Sequence, residues 1–203
     1  IPFETRTSGT NATVNTIISP SGGLRDAVGA LNLSTGIDGT GYAQVMTRAS
    51  GSMSDFKVGQ VSVYLGQRIG LEHLSTETES YQLRIGFETN NMNAENNGVF
   101  FRYNHAVNGG NVECVTRNSS IETITDSGFV FTPHNYHIME ISVSVAGTVE
   151  FSIDKTLVAT HNTNVPPDFG YMSGIKKLAG TQIRRFHIDW TILEVILDTP
   201  LTL

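Results

Sequence analysis

The sequence predicts an all-β fold: an antiparallel jelly-roll sandwich of two sheets. Three observations carry this. Apolar and polar residues alternate with period two along many short runs. Glycine, asparagine and proline break those runs at intervals of about 8 to 12 residues. No stretch shows a convincing amphipathic-helix pattern, a heptad or an internal repeat. A length of 203 residues suits one sandwich domain over 1–203, and burying about 70% of the unfolded surface needs no covalent staples at that size.

The chain opens with weak alternation at Phe3, Thr5 and Thr7, continues through Ala12–Ile18 and meets a break at Pro20-Ser21-Gly22-Gly23. Residues 1–23 therefore read as a first strand or an N-terminal arm. Ala30–Leu33 is a short strand closed by the glycine-rich segment Gly36–Gly41. That segment lacks the Lys-Ser/Thr of a phosphate loop and no helical pattern follows it, so it is a turn. Tyr42–Arg48 and Gln60–Ile69 are strands, the second with Val61, Val63 and Leu65 on one face and Ser62 and Tyr64 on the other. Leu71–Glu79 is polar and acidic, a short helical turn or a loop. Tyr81, Leu83, Ile85 and Phe87 form the cleanest apolar face, opposite Gln82, Arg84 and Glu88. Beyond the polar loop Asn90–Asn97 come Val99, Phe101 and Tyr103, the loop Asn104–Gly110, and strands at Val112–Arg117 and Ile121–Ile124.

Asn135–His161 then supplies two hairpins in succession. Met139, Ile141, Val143 and Val145 alternate with Glu140, Ser142 and Ser144; Ala146-Gly147-Thr148 reverses the chain; Val149, Phe151 and Ile153 resume the pattern. A second turn at Asp154-Lys155-Thr156 leads into Leu157, Val158 and Ala159. Val165-Pro166-Pro167 breaks the sheet and Phe169–Gly174 is read as a loop. Gln182–Leu197 is the last long strand, with Phe186, Ile188, Trp190 and Ile192 on one face and Trp190 expected in the core. Its far end, Leu193, Val195 and Leu197, makes the second face apolar as well. Such an end needs a cover, so residues 194–203 are expected to dock on the arm or on another subunit. The first strands are expected to pair with the last. Some dozen strands in this order specify a concanavalin A-like jelly roll.

Composition narrows the partners. Thirteen Lys and Arg against nineteen Asp and Glu give a formal charge of −6; this argues against nucleic acid and against an anionic membrane surface. No apolar run reaches ~18 residues, and IPFETRTSGT has no secretion-signal pattern, so a soluble chain without membrane insertion is expected. The single cysteine, Cys114, cannot form an internal disulfide and is expected to be a buried, inert thiol.

The run GVFFRYNH, NGGNVECVTR, IETITDSGF and YHIMEISVSVAGTVEFSIDKTLVATHNTNVP, from Gly98 to Pro166, resembles a lectin-like β-sandwich found in bacteriophage virion proteins. LNLSTGIDGTGYA (Leu31–Ala43) and LAGTQIRRFHIDW (Leu178–Trp190) are similar to the same pattern. The resemblance implies a tail-fibre, tail-tip or head-appendage protein on the virion surface, made in the cytoplasm of a bacterial host. It also implies that other virion proteins and a host-surface glycan are its partners.

Chemistry is sparse. Asp189 and Glu194 point to opposite faces of a regular strand; Glu150 and Asp154 share a face but are separated by Ser152, so neither is a paired-carboxylate hydrolase site. The histidines, His73, His105, His134, His137, His161 and His187, lack zinc-site spacing, and there is no calcium loop or Gly-x-Ser-x-Gly elbow. No metal, cofactor or catalytic set is expected. The tripeptides at Asn11, Asn32 and Asn118 fit a glycosylation sequon, which a protein made in bacteria would not use.

Sugar sites combine an aromatic ring with planar polar groups. Tyr64, Arg84, Phe100 and Arg102 lie on outward faces of strands expected to be neighbours in a concave sheet, and His105 and Asn108 follow in the next loop. If those strands are adjacent, Tyr64, Arg84, Arg102 and His105 are the candidate ligand contacts of one shallow groove; the alternative is an ordinary mixed polar sheet face. The expected function is non-enzymatic attachment to a host glycan. Alternatives are a structural head decoration or cement protein, forming a homo-oligomer and most readily a trimer, and a polysaccharide-degrading glycosidase.

Overall fold

The computed structural model describes residues 3–16, 29–47, 55–93 and 97–197. They form two antiparallel sheets, as the alternation requires. One runs in the order β1 (Glu4–Ser8), β4 (Tyr42–Met46), β14 (Asp168–Lys177), β7 (Tyr81–Glu88), β8 (Gly98–Tyr103), β9 (Asn111–Asn118) and β10 (Ile121–Val130), with the two-residue β5 (Phe56–Lys57) beside β14. The other runs β13 (Thr156–His161), β12 (Val149–Ile153), β11 (Tyr136–Val143), β6 (Val61–Leu71), β15 (Arg185–Leu197), β3 (Leu31–Ser34) and β2 (Thr13–Thr16). We call these the first and the second sheet. No described helix is long and apolar enough to cross a membrane.

The inward alternates meet in one core. Leu83, Ile85, Phe87, Val99 and Phe101 of the first sheet pack against Leu65, Ile69, Met139, Ile141 and Phe151 of the second, all essentially without exposure. Phe101 meets Phe151 edge to face with ring centres 5.2 Å apart. Tyr171 reaches across the interior, where Gln67 donates to its Oη at 2.8 Å and also to Thr191. Cys114 is fully buried in this layer, and burial, with help from Asp126 and Glu113, pushes its thiol up to about 12, so it carries no thiolate.

Three sequence readings change, and for the connection 72–80 the loop alternative holds. The segment 169–174, read as a loop, is the middle of the ten-residue strand β14 between β4 and β7. Gly170 and Gly174 hid its alternation; a Cβ on Gly174 would sit 2.8 Å from Gln44 and 2.9 Å from Met92, so only glycine fits under the residues covering it. The strand from Ile121 continues to Val130 through a register shift after Asp126. Leu71 ends β6, and residues 72–80 are an irregular connection without a helical turn. In β15, Ile188 pairs with Ile69 but Trp190 pairs with Arg68, which leaves Asp189 as an extra, bulged residue. The bulge reverses the phase: Phe186 and Ile188 stay in the core, while Trp190 is only half-buried and Ile192 is exposed.

The expected N-terminal arm is two strands, one in each sheet, joined by a turn at Gly9–Ala12; its break at Pro20–Gly23 lies outside the described residues. β3 does lie against β15, whereas β1 pairs with β4. Of the expected docking tail only 194–197 is described, with Val195, Ile196 and Leu197 all exposed.

Candidate functional site

The four sequence candidates do not share a groove. Arg84 on β7 and Arg102 on β8 are direct cross-strand partners on the outer face of the first sheet, as expected. Tyr64 lies on β6, on the outer face of the opposite sheet, so it cannot act with them. Alternation reveals which side of a strand a residue takes but not which sheet the strand joins. His105 lies in the loop after β8 and bonds through Nδ1 to Ser75 Oγ at 3.1 Å, tied to the connection 72–80.

Two arginines directly opposite each other repel unless each is compensated. Here Arg84 donates to Glu88 at 2.6 Å, to the Met92 carbonyl at 2.8 Å and to Gln82 at 3.1 Å. Arg102 donates to Glu113 at 2.6 Å and through both terminal nitrogens to Glu122, which Arg117 also contacts at 3.1 Å. Burial works against the charge of Arg102, but Glu113 and Glu122 outweigh it and raise its pKa further. Asn108 closes the network on Glu113 at 2.7 Å. Three arginines thus face three glutamates, Glu88, Glu113 and Glu122, with no formal net charge. Phe100 is buried beneath them, the Arg84 guanidinium 5.8 Å from its ring centre. The depression between Gln82, Arg84, Phe100, Arg102 and Arg117 holds about 50 Å³. It is a knitted surface with little room for a ligand.

Tyr64 has a different setting. Register places Glu150, Ser142, Tyr64 and Glu194 side by side across β12, β11, β6 and β15, with Glu140, Gly66 and Ile192 in the next row. Two residues along from Tyr64, glycine leaves a vacancy, and the tyrosine ring lies down into it: a Cβ on Gly66 would meet Tyr64 Oη at 2.7 Å and ring carbons at 3.1 and 3.2 Å. The hydroxyl donates to Glu140 Oε1 at 2.7 Å. Burial first, then Glu140 and the charge of Glu194, push the phenol up to about 12, so it remains a proton donor. The result is an aromatic plate fixed flat along the sheet.

Beside it runs a groove of about 320 Å³, lined by Tyr64, Ser62, Ser142, Ser144, Thr148, Glu150 and Ile196 with Val63 and Val143 beneath. Ser62 Oγ accepts from the Val145 N–H at 3.1 Å and Ser144 Oγ from the Thr148 N–H at 3.0 Å. Both oxygens are oriented by the backbone, and their hydroxyl hydrogens can be offered outward. Sequence reasoning found Tyr64 but missed these hydroxyls and Glu150, although all are outward alternates of strands or turns that it read correctly.

Other reactive groups serve structure. Asp189 pairs with Arg68, which stacks over Tyr136 at 4.4 Å. Buried His161 bonds Thr116 through Nδ1 at 3.1 Å and Thr125 through Nε2 at 2.9 Å; Thr116 donates to the Thr163 carbonyl at 2.8 Å. Nδ1 must therefore donate, and burial lowers the pKa of the ring, which favours the neutral tautomer in which Nε2 accepts from Thr125. His187 is as deeply buried, its Nε2 unpartnered. Burial, with Arg185 and His134 nearby, lowers its pKa against the pull of Glu72. Among the described residues no three His, Cys, Asp or Glu side chains converge as a metal site.

Solved structures of the same architecture are distant in sequence. A protein of unknown function, SO2946 from Shewanella oneidensis MR-1, aligns with a TM-score of 0.69 at 10% identity over 99% of this chain and 82% of its own. The carbohydrate recognition domain of Emp46p gives 0.57 at 9% identity over 89% and 86%. A carbohydrate esterase from the Shiga toxin-encoding bacteriophage phi24B gives 0.55 at 12% identity over 96% and 90%. Alginate lyases share the fold as well. At these identities the likeness establishes the lectin-type jelly roll and nothing finer. No curated protein sequence matches the chain significantly. The family model described as SO2946-like, C-terminal domain, does match, over residues 26–189, and the chain belongs to that family.

Proposed function

We propose that this domain binds a saccharide in the Tyr64 groove, without catalysing a reaction on it, as an attachment module on the surface of a bacteriophage virion. The observation that carries the reading is the tyrosine plate held flat over Gly66 beside oriented hydroxyls, in a groove wide enough for a sugar ring. Sugar C–H faces stack on aromatic rings, while their hydroxyls need fixed partners. Fold relatives described as a carbohydrate recognition domain and as a phage carbohydrate esterase support the ligand class and the setting. Glu150 and Glu194 stand exposed on an open face, unlike the dry, enclosed carboxylates that acid catalysis needs.

A glycan array probed with the purified chain, and with Tyr64→Ala beside it, tests the reading. Saturable binding lost in the variant is expected; binding that ignores the substitution, or none to any glycan, refutes it. Incubating a bound glycan with the protein and following new reducing ends and unsaturated products tests the absence of catalysis. Tyr64-dependent cleavage would establish the degradative enzyme instead.

One feature favours a second reading, a structural decoration or cement protein. Ile192, Val195, Ile196 and Leu197 are 41 to 63% exposed along one strand, a stretch suited to another virion protein or to a homotrimer. Sedimentation velocity separates these: a trimer dispersed by Ile196→Lys together with Leu197→Lys supports it, and a monomer at high concentration removes the self-assembly.

A further inference from the structure

We infer that the Tyr64 groove selects a saccharide bearing a protonated amine, such as a run of unacetylated hexosamine units. This rests on the saccharide reading above and specifies its ligand class. The outer faces of the two sheets differ in how charge is balanced. On the first sheet every glutamate of the arginine lattice has a cationic partner. Around Tyr64, by contrast, Glu140, Glu150 and Glu194 stand in two adjacent rows, and no basic residue lines the groove among the described residues. Further along β6 the first outward-facing cation is Arg68, two rows and about 13 Å from Tyr64 at the usual rise per residue. It is held by Asp189 and Tyr136.

Three formal negative charges about an aromatic plate attract a cation in two ways, through the carboxylates and through the negative face of the ring. The hydroxyls of Ser62, Ser142, Ser144 and Thr148 serve the neutral part of a sugar, and the carboxylates discriminate among sugars. Uronic and sialic acids are repelled, neutral sugars gain nothing from the charge, and an ammonium group replaces the missing counter-charge. A second copy of this chain does not fit, because packing this face on itself would oppose Glu140, Glu150 and Glu194 to their own copies.

Calorimetric titration near pH 6 with the glucosamine tetramer and with the N-acetylglucosamine tetramer isolates the amine on one backbone. At low salt the amine form is expected to bind about fivefold tighter, with the preference shrinking as salt is raised. Glu150→Gln with Glu194→Gln, both at exposed positions, should abolish the preference for the amine form. Equal or tighter binding of the acetylated tetramer overturns the inference while the groove stands. So does Tyr64-dependent binding confined to other glycans. A preference that survives Tyr64→Ala or the double Gln variant reflects general attraction to an acidic chain and also overturns it. Absence of binding to any glycan removes the saccharide reading itself.

Discussion

Arg84→Met should be among the most damaging single substitutions on the outside of the sandwich. Glu88 is wholly buried and Arg84 is 7% exposed, yet both lie on the outward side of β7, beneath the segment that carries Met92. Removing the arginine takes the cation away from a buried carboxylate and also leaves the Met92 carbonyl without that donor. Breaking one partner of a buried ion pair costs about 3–5 kcal/mol. In a chain of this size each kcal/mol moves the melting temperature by about 2–4 °C, so a fall of roughly 6–20 °C is expected. Replacing both members, Arg84→Met with Glu88→Met, should recover most of the loss, because the desolvation cost disappears with the pair. Urea unfolding of the two single variants and the double variant measures this as a coupling energy. If Arg84→Met costs under about 1 kcal/mol, or the double variant is as unstable as the sum of the singles, the pair is not acting as a buried unit and the reasoning fails. Arg84 is for the same reason a poor probe of ligand binding, since its loss disturbs the whole outer face of the first sheet.

Gly66→Ala should lift the Tyr64 ring, since the added methyl carbon would meet it at 2.7–3.2 Å. Glycan affinity is expected to drop about tenfold or more with stability changed by less than about 1.5 kcal/mol, and unchanged affinity would show that the flat ring is not the platform. Acidification should weaken the fold. His161 and His187 have folded pKa values below their unfolded value of about 6.5, so the unfolded chain takes up protons first. Stability is full above that value and is lost as pH falls below it, by up to about 1.4 kcal/mol per histidine per pH unit. Urea midpoints at pH 7.5 and 5.5 check this; a fall of the same size in His161→Gln with His187→Gln would refute the assignment. Glu79→Ala removes the acceptor of the Thr181 and Gln182 N–H groups. A loss of about 1–2 kcal/mol and faster amide exchange at those two residues are expected, and unaltered exchange would contradict the anchoring.

Much of the fold was legible because a strand buried on one face writes its orientation into every second residue. Tyr81–Phe87, Met139–Val143 and Val149–Ile153 show this, and their inward sets match the core, although Val145, read as the next inward residue, lies in the turn. The pattern fails where a residue has no side chain to report. Gly170 and Gly174 made the central strand β14 look like a loop. It also fails where the count slips, and the bulged Asp189 carried Trp190 and Ile192 to the side opposite the one their spacing indicated. The site was harder to read than the fold. β6 and β7 follow one another in the chain yet belong to different sheets, so Tyr64 and Arg84, neighbours in sequence order, lie on opposite outer faces. Nor could spacing show that Gly66 makes room for a tyrosine ring to lie flat. That depends on a rotamer, and only the three-dimensional arrangement supplies it.

The order of strands also bears on how the protein is made. β14 stands between β4 and β7, and β15 between β6 and β3, so an interior position of each sheet is filled only after residue 167 has been made. A nascent chain on the ribosome that has reached residue 167 holds the residues of thirteen described strands, β1 to β13, with a gap inside both layers. Its unpaired ribbons offer themselves to any neighbouring chain. Sheet closure therefore waits until β14 and β15 are both clear of the ribosome, and a helper that shields the half-built layers should raise the yield more than one that acts on the finished product.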